Sequence, residues 1–307
     1  MTVRVPAKVN LQLSVGPPRD DGYHDLVNVF HAVSLFDEVT ASDAPAGSGG
    51  AAVTVSVEGQ YAGQVPLDGE NLAVKAALAL AERAGRPLGA RLLIRKAIPV
   101  AGGMAGGSAD AAATLVACDE LWGLGLPRQE LMEIAAALGS DVPFALLGGT
   151  AVGTGRGEKL TTVSVTGDFH WVFALAAGGL STAEVYAECD RMREASGERA
   201  AWPQASQTLM TALEAGDAET LGKALLNDLQ PAALMLCRPL VRTLEAGRNH
   251  GALGALVSGS GPTCAFLAGS EAKATALAAA LDAAGVCRSA VTARGPVPGA
   301  TIVRADR

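Results

Sequence analysis

No stretch of this chain approaches the ~18 uninterrupted apolar residues that a membrane-spanning helix needs. The opening MTVRVPAKVN also lacks the apolar run of a secretory signal. Both absences predict a cytoplasmic protein with no membrane partner. The five cysteines, Cys118, Cys189, Cys237, Cys264 and Cys287, are odd in number and never spaced C-x-x-C. They read as small core residues in a reducing compartment rather than a disulfide framework. Positive charge is scarce as well: Lys+Arg is 24 against Asp+Glu 31, a net charge of −7, the wrong sign for a binder of nucleic-acid backbones. The chain has no solenoid repeat and no run of like charges. What it has in excess is glycine, 37 of 307 residues, without the triplet period of collagen, so tight turns and close backbone approaches are expected.

A chain of this length predicts two domains sharing a cleft. Residues 3–15 alternate, with Val3, Val5, Ala7, Val9, Leu11, Leu13 and Val15 on one face. That is the period of a half-buried strand, and it puts Lys8 and Asn10 on the other face. Residues 23–39 and 53–57 predict two more strands, the first pairing as an antiparallel hairpin. A helix over 71–84, capped by Asn71 and Gly85, leads into a strand at 92–94. Residues 108–121 and 127–138 predict helices, the second closed by Gly139, and GSDVPF at 139–144 starts another. Residues 41–52 predict a small-residue loop, and 148–160 a turn-rich connection, which puts a domain boundary near 155. Beyond it, helices over 206–215, 240–250 and 271–284 alternate with strands at 170–175, 253–257, 264–267 and 289–293, and a further helix starts near Ser181. That order suits helices layered on an antiparallel sheet.

Between the strand at 92–94 and the helix from Ser108 runs PVAGGMAGGSADAA, residues 99–112. Gly102, Gly103, Gly106 and Gly107 let backbone N–H groups approach an anion closely, and the helix N-terminus adds the positive end of its dipole. Ser108 can cap the helix or offer its hydroxyl to a metal. The segment matches neither G-x-x-x-x-G-K-[ST] nor G-x-G-x-x-G, so no P-loop or Rossmann site is indicated. A flexible connector in an Ala/Gly-rich chain would have a similar composition.

PAKVNLQL at 6–13, the 99–112 loop and VSGSGPTCAF at 257–266 stand in the order of the three motifs of the GHMP kinases, and the resemblance spans nearly the whole chain. It implies an α+β, two-domain architecture. An N-terminal domain resembling part of ribosomal protein S5, residues 1–154, binds ATP, a ferredoxin-like C-terminal domain takes 155–307, and the active site lies in the cleft between them. RDDGYHDLVNVFHAV at 19–33 and LGSDVPFAL at 138–146 resemble the members whose acceptor is a sugar alcohol bearing a cytidine diphosphate group. Homoserine- and mevalonate-type kinases of the same family, or a ligand sensor on the same scaffold, are the rival readings. A small acceptor would not need D-G-Y-H, and a sensor would not need a base. No G-x-S-x-G elbow supports a hydrolase.

The resemblance implies Asp141 as the base and Lys8 as its partner, with ATP and Mg²⁺ as co-substrate and metal. Positioning and charge compensation supply most of the catalysis of phosphoryl transfer. Phosphate binding is carried over to Pro99, Val100, Ala101, Gly102, Gly103, Met104, Ala105, Gly106, Gly107, Ser108 and Ala109, with Ser108 also a metal contact, and Asn71 and Lys96 fall near the adenine and ribose. The loop departs from the common family text at Ala105, which replaces a glycine, and at Ala109, which replaces a small hydroxyl residue. On the acceptor side Asn10 orients the substrate, Tyr23 and Tyr186 stack on cytosine, and His24 reads its edge. Ser258, Gly259, Ser260 and Gly261 close over the phosphates or shape the loop. Either end of this scheme has a plainer reading: Asp141 as a helix cap, Lys8 as a solvated strand residue. His31, His170 and His250 carry no sign of a tuned role. The chain is expected to act as a monomer or weak homodimer, without nucleic acid.

Overall fold

Alternation at the start of the chain produces β1, Thr2–Pro18, in a computed structural model that describes residues 1–44, 52–100, 102–197 and 200–303. Contrary to the half-buried expectation, both faces are covered: Lys8 is 6% exposed and Asn10 and Gln12 1% each. The polar face is buried because the second half of the chain lies on it, with Gln12 Nε2 donating to the Gln204 carbonyl at 2.7 Å and Ser206 N donating back to Gln12 Oε1 at 2.9 Å.

β1 pairs antiparallel with β2, His24–Asp43, as expected, through register shifts that include one between Asn10 and Gln12. Beyond β2 lie β4, Ala90–Arg95, and β3, Val53–Glu58, the latter two parallel. The loop expected at 41–52 lies mostly outside the described residues. Helix α1, Leu72–Ala84, starts where Asn71 Oδ1 accepts from Ala73 N and stops at left-handed Gly85. Helix α2, Gly106–Trp122, begins two residues earlier than expected, its N-cap being Ala105 rather than Ser108. It packs on α1, β1 and β2. Then come α3, Arg128–Leu138, and α4, Val142–Leu147. Gly139 ends α3 with extended backbone, φ 173°, not a left-handed cap.

The turn-rich text at 148–160 hides a hairpin, β5, Thr150–Thr154, and β6, Lys159–Thr162, with β5 paired to β2. Gly155 and Gly157 make the turn with positive φ, whereas Gly153 lies in a strand and serves packing: a Cβ on it would lie 2.7 Å from the Phe30 ring. Residue 155 falls in the turn between these strands. A second, four-stranded antiparallel sheet follows, built from β7, Phe169–Leu175, then β9, Gly254–Val257, β10, Cys264–Ala268, and β11, Ser289–Gly295, in the order β11-β7-β10-β9. Its helices include α5, Thr182–Ser196, α6, Gln207–Ala215, α9, Pro239–Asn249, and α10, Glu271–Ala283. Ser181, Ser206 and Ser270 each accept a backbone N–H as N-caps of α5, α6 and α10. Two short helices not read from the sequence, α7, Ala218–Ala224, and α8, Gln230–Leu236, flank a two-residue strand β8, Leu226–Asn227, which pairs parallel with β1.

The result is the mixed α+β architecture expected. β1 ties its parts together, since Val3, Val5, Ala7, Val9 and Leu11 sit in one hydrophobic cluster while Leu13 and Val15 sit in a second. The last strand, β12, Thr301–Ile302, returns to pair with the start of β1. Among the described residues no helix is long and apolar enough to cross a membrane.

Candidate active site

Asp141 stands at the N-cap position of α4, yet its carboxylate accepts no bond from that helix. It points instead at β1, where Lys8 Nζ lies 3.5 Å from its Oδ2. Lys8 is in turn held by Asn10 Oδ1 at 2.7 Å, and Asn10 Nδ2 donates to Asn28 Oδ1 at 2.6 Å. The ammonium also lies 5.7 Å from the centre of the Phe30 ring. A lysine 6% exposed must be paired to be tolerated; here an amide, a carboxylate and an aromatic face share it.

Lys8, Asn10 and Asp141 line a cavity of about 400 Å³ together with Gly102, Gly103, Ala105, Gly106, Gly107, Ser108, Tyr186, Ser260 and Gly261. Most of the residues expected in phosphate and acceptor binding thus meet in one space. The first turn of α2 opens onto it, and the Ala105 side chain forms no cap bond with that turn's N–H groups. That open amide end suits an anion. Ala105 is the only non-glycine described residue with positive φ, 59°, at the position where a glycine was expected. Gly103 is required where it stands: φ is +71° and a Cβ would meet the Ser258 carbonyl oxygen at 2.0 Å. Ser258 Oγ donates to the Gly103 carbonyl at 3.1 Å, and Lys8 N donates to the Met104 carbonyl at 3.3 Å, so the third motif and β1 both clamp the loop. Asn227 Nδ2 braces that third motif in turn, donating to the carbonyls of Val257 and Gly259.

Other expected residues lie off the cavity. Pro99 and Val100 line a separate space of about 380 Å³ that also touches Gly102. Met104 and Ala109 are buried in the core, and Ala101 lies outside the described residues. Asn71 is spent on starting α1, with Oδ1 accepting from Ala73 N and Nδ2 donating to the Pro66 carbonyl. The Lys96 ammonium is held between two carboxylates, 2.5 Å from Asp37 Oδ2 and 2.7 Å from Asp110 Oδ2, with all three side chains at most 4% exposed. It sits behind the first turn of α2, 2.9 Å from where a Cβ on Gly106 would be. Asp37 also accepts from Ala97 N and Ile98 N through Oδ1. Asp110 Oδ1 is buried with no partner. Burial pushes Asp110's carboxyl well above the usual carboxylate range, against the pull of Lys96.

Neither Tyr23 nor His24 lines the cavity; His24 is 8% exposed and packs its ring against Tyr186, which does, centroids 5.2 Å apart. Burial, helped by nearby Asp141, raises the Tyr186 phenol, so it stays a neutral donor. Tyr23 is half exposed and carries Arg156 over its ring at 5.2 Å. Arg156 and Asn28 line the cavity and were not read from the sequence, nor were Asp37, Asp110 and Asp190. Ser260 Oγ and Thr182 Oγ1 share a hydrogen bond of 2.9 Å. Among the described residues no cluster of three His, Cys, Asp or Glu side chains could hold a metal alone.

The GHMP kinases N terminal domain matches residues 71–149 and the GHMP kinases C terminal matches 209–287. A relative from Thermobifida fusca, the "4-diphosphocytidyl-2-C-methyl-D-erythritol kinase", is 62% identical over 99% of this chain and 98% of its own. Its counterpart in Streptomyces coelicolor is 59% identical over 99% of each. A solved 4-(cytidine 5'-diphospho)-2C-methyl-D-erythritol kinase superposes with a TM-score of 0.77 at 31% identity, covering 96% of this chain and 98% of its own. A homoserine kinase from Cytophaga hutchinsonii, at 18% identity and a TM-score of 0.74 over 99% and 97% of the two chains, shares the fold. With both halves matched and relatives of such identity along its whole length, the chain belongs to the GHMP kinase family of small-molecule kinases.

Proposed function

We propose that this chain transfers the γ-phosphoryl group of ATP to the 2-hydroxyl of 4-diphosphocytidyl-2-C-methyl-D-erythritol, a step of the non-mevalonate route to isoprenoid precursors. The observation that carries the reading is the pairing of Asp141 with Lys8 at 3.5 Å in the cavity onto which the amide end of α2 opens. The relatives' names supply the acceptor.

Asp141 accepts the hydroxyl proton as the acceptor oxygen bonds to the γ-phosphorus and the bond to the β-phosphate oxygen breaks, leaving ADP. Lys8 faces the same oxygen and offsets the charge that builds there, while Asn10 holds Lys8 on target. The N–H groups of Gly106, Gly107 and Ser108 receive the phosphates. With the Ser108 hydroxyl at the first turn of α2 on the cavity wall and no three-ligand cluster among the described residues, the donor set would fit a Mg²⁺ that Ser108 shares with the nucleotide's own oxygens. Bound there, Mg²⁺ neutralises phosphate charge. Asn71 and Lys96 serve the nucleotide from behind, by starting α1 and by bracing the first turn of α2. Residues 1–154 supply the ATP side and the cytosine readers Tyr23 and His24; residues 155–307 bring Tyr186, Ser260 and Gly261 to the acceptor.

Purified protein mixed with Mg·ATP and, separately, diphosphocytidyl methylerythritol, homoserine and mevalonate tests the reading through ADP release. Turnover confined to homoserine or mevalonate would overturn the acceptor, and ATP binding without turnover would favour a sensor. Asp141→Asn is expected to lose on the order of 10²–10⁴-fold in kcat with nearly unchanged ATP affinity. Wild-type turnover in that variant would remove Asp141 as the base.

A further inference from the structure

His24 opens β2 opposite Pro18, and its imidazole is almost wholly buried. Its Nε2 lies 3.0 and 3.1 Å from the two carboxylate oxygens of Asp190. Asp190 sits on α5 four residues after Tyr186, so one face of that helix presents both the aromatic ring that packs on the imidazole and the carboxylate that binds it. The Ser181 cap fixes the start of the helix, its Oγ accepting from Glu184 N. His24 is therefore held on two sides by a single element from the second half of the chain.

An ionised carboxylate accepts and cannot donate, so Nε2 must be the nitrogen that carries the proton. In a neutral imidazole the other nitrogen, Nδ1, is then an acceptor only. No described residue donates to Nδ1. A pyrimidine base meeting that nitrogen is sorted by what it carries at C4. Cytosine presents an amine there, a donor that the Nδ1 lone pair can accept. Uracil presents a carbonyl, whose lone pairs would face it.

We propose that Asp190 is a specificity-determining positioning residue: by fixing the proton of His24 on Nε2 it makes the base pocket accept a 4-aminopyrimidine and reject a 4-oxopyrimidine. The inference rests on the reading above in which His24 meets the base. Asp190 itself touches no substrate; it acts through the ring it holds.

The test combines ¹⁵N NMR of histidine-labelled protein with kinetics on the cytidine- and uridine-diphosphate forms of the acceptor. His24 in the unmodified chain is expected to show the neutral tautomer protonated at Nε2. Asp190→Asn, whose amide can donate to Nε2 and so free the proton to Nδ1, is expected to lower the cytidine-over-uridine ratio of kcat/KM by about 5- to 150-fold. The loss should fall on the acceptor KM, with ATP KM unchanged. Asp190→Ala should lower the ratio less, and Asp190→Glu should keep most of it. A His24 spectrum showing the Nδ1–H tautomer or the imidazolium at the assay pH would overturn the proposal. So would an unchanged ratio in both Asp190→Asn and Asp190→Ala. No turnover of the cytidine form by the unmodified chain would sink the function reading, and the base-choice role with it; normal turnover with unchanged ratios sinks the role of Asp190 alone.

Discussion

Replacing Lys96 by methionine keeps the length of the side chain and removes its charge, and the structure fixes what that leaves behind. Two carboxylates, Asp37 and Asp110, share one ammonium in a space where the side chains are 0% and 4% exposed. Fully ionised, the trio carries one excess negative charge. Taking away the cation strips a buried anion pair of its partner, a loss of about 3–5 kcal/mol, or a fall in Tm of roughly 6–15 °C for a chain of this size. Asp110→Asn does the opposite, because it leaves Lys96 and Asp37 as a balanced pair and removes the carboxyl that already has an unpartnered oxygen. It should cost no more than ~1 kcal/mol. The pH dependence follows from the same geometry. Asp110 is raised by burial, so between its unfolded and folded values the native state holds a proton that the unfolded chain has released. That contribution to stability is complete below the unfolded value and fades as pH rises through the folded one. Chemical denaturation of wild type and Asp110→Asn, followed as pH rises from the unfolded carboxylate value, should therefore show the wild type losing more stability with rising pH than the variant. An Asp110→Asn variant as damaged as Lys96→Met, or parallel pH curves, would refute this charge accounting.

Gly103→Ala would drive a Cβ into the Ser258 carbonyl at 2.0 Å and force a side chain onto φ +71°. It is expected to lower stability by about 1–3 kcal/mol and to raise the KM for ATP more than that for the acceptor. An unaltered ATP KM would separate the loop from phosphate binding. His31 is held down to about 4 by burial, so it stays neutral in the native state while the unfolded residue takes up a proton near pH 6.5. Its contribution is present above that value and is lost as pH falls towards 4, by roughly 3 kcal/mol. A His31→Gln variant should lack this acid-side loss in urea titrations, and an identical slope would discount it.

The alternation of β1, the cap at Asn71 and the helix starts near Ser181 and Ser206 were legible because they depend on neighbours in sequence. Lys8 and the loop were singled out only through the order of three motifs, and Asp141 only through the likeness of residues 138–146 to the same family. The Lys96 trio was not, since its partners lie 59 and 14 positions away. A signal existed, however: Asp110 sits among Ala109 and Ala111 to Ala113 in a helix buried on most sides, and a charge in such a place demands a partner. Asp190 shows the same limit. Its spacing from Tyr186 was visible, but its pairing with His24 across 166 positions required the fold. The β5–β6 hairpin was missed because Gly153, a strand residue that passes an aromatic ring, resembles the neighbouring glycines that turn the chain.

A ribosome making this protein releases β1 long before β12, the strand that closes its outer edge at Val3 and Arg4. The return segment also supplies Val297 O to Gly149 N and Ala300 N to the Ala145 carbonyl. At ~5–20 residues per second, some ~300 residues take roughly 15–60 s to make. For that time the strand bearing Lys8 has an open flank, a template for pairing with another chain. Newly made copies should therefore call on chaperones until β12 emerges, and truncations that remove β12 should yield aggregates rather than a slower enzyme.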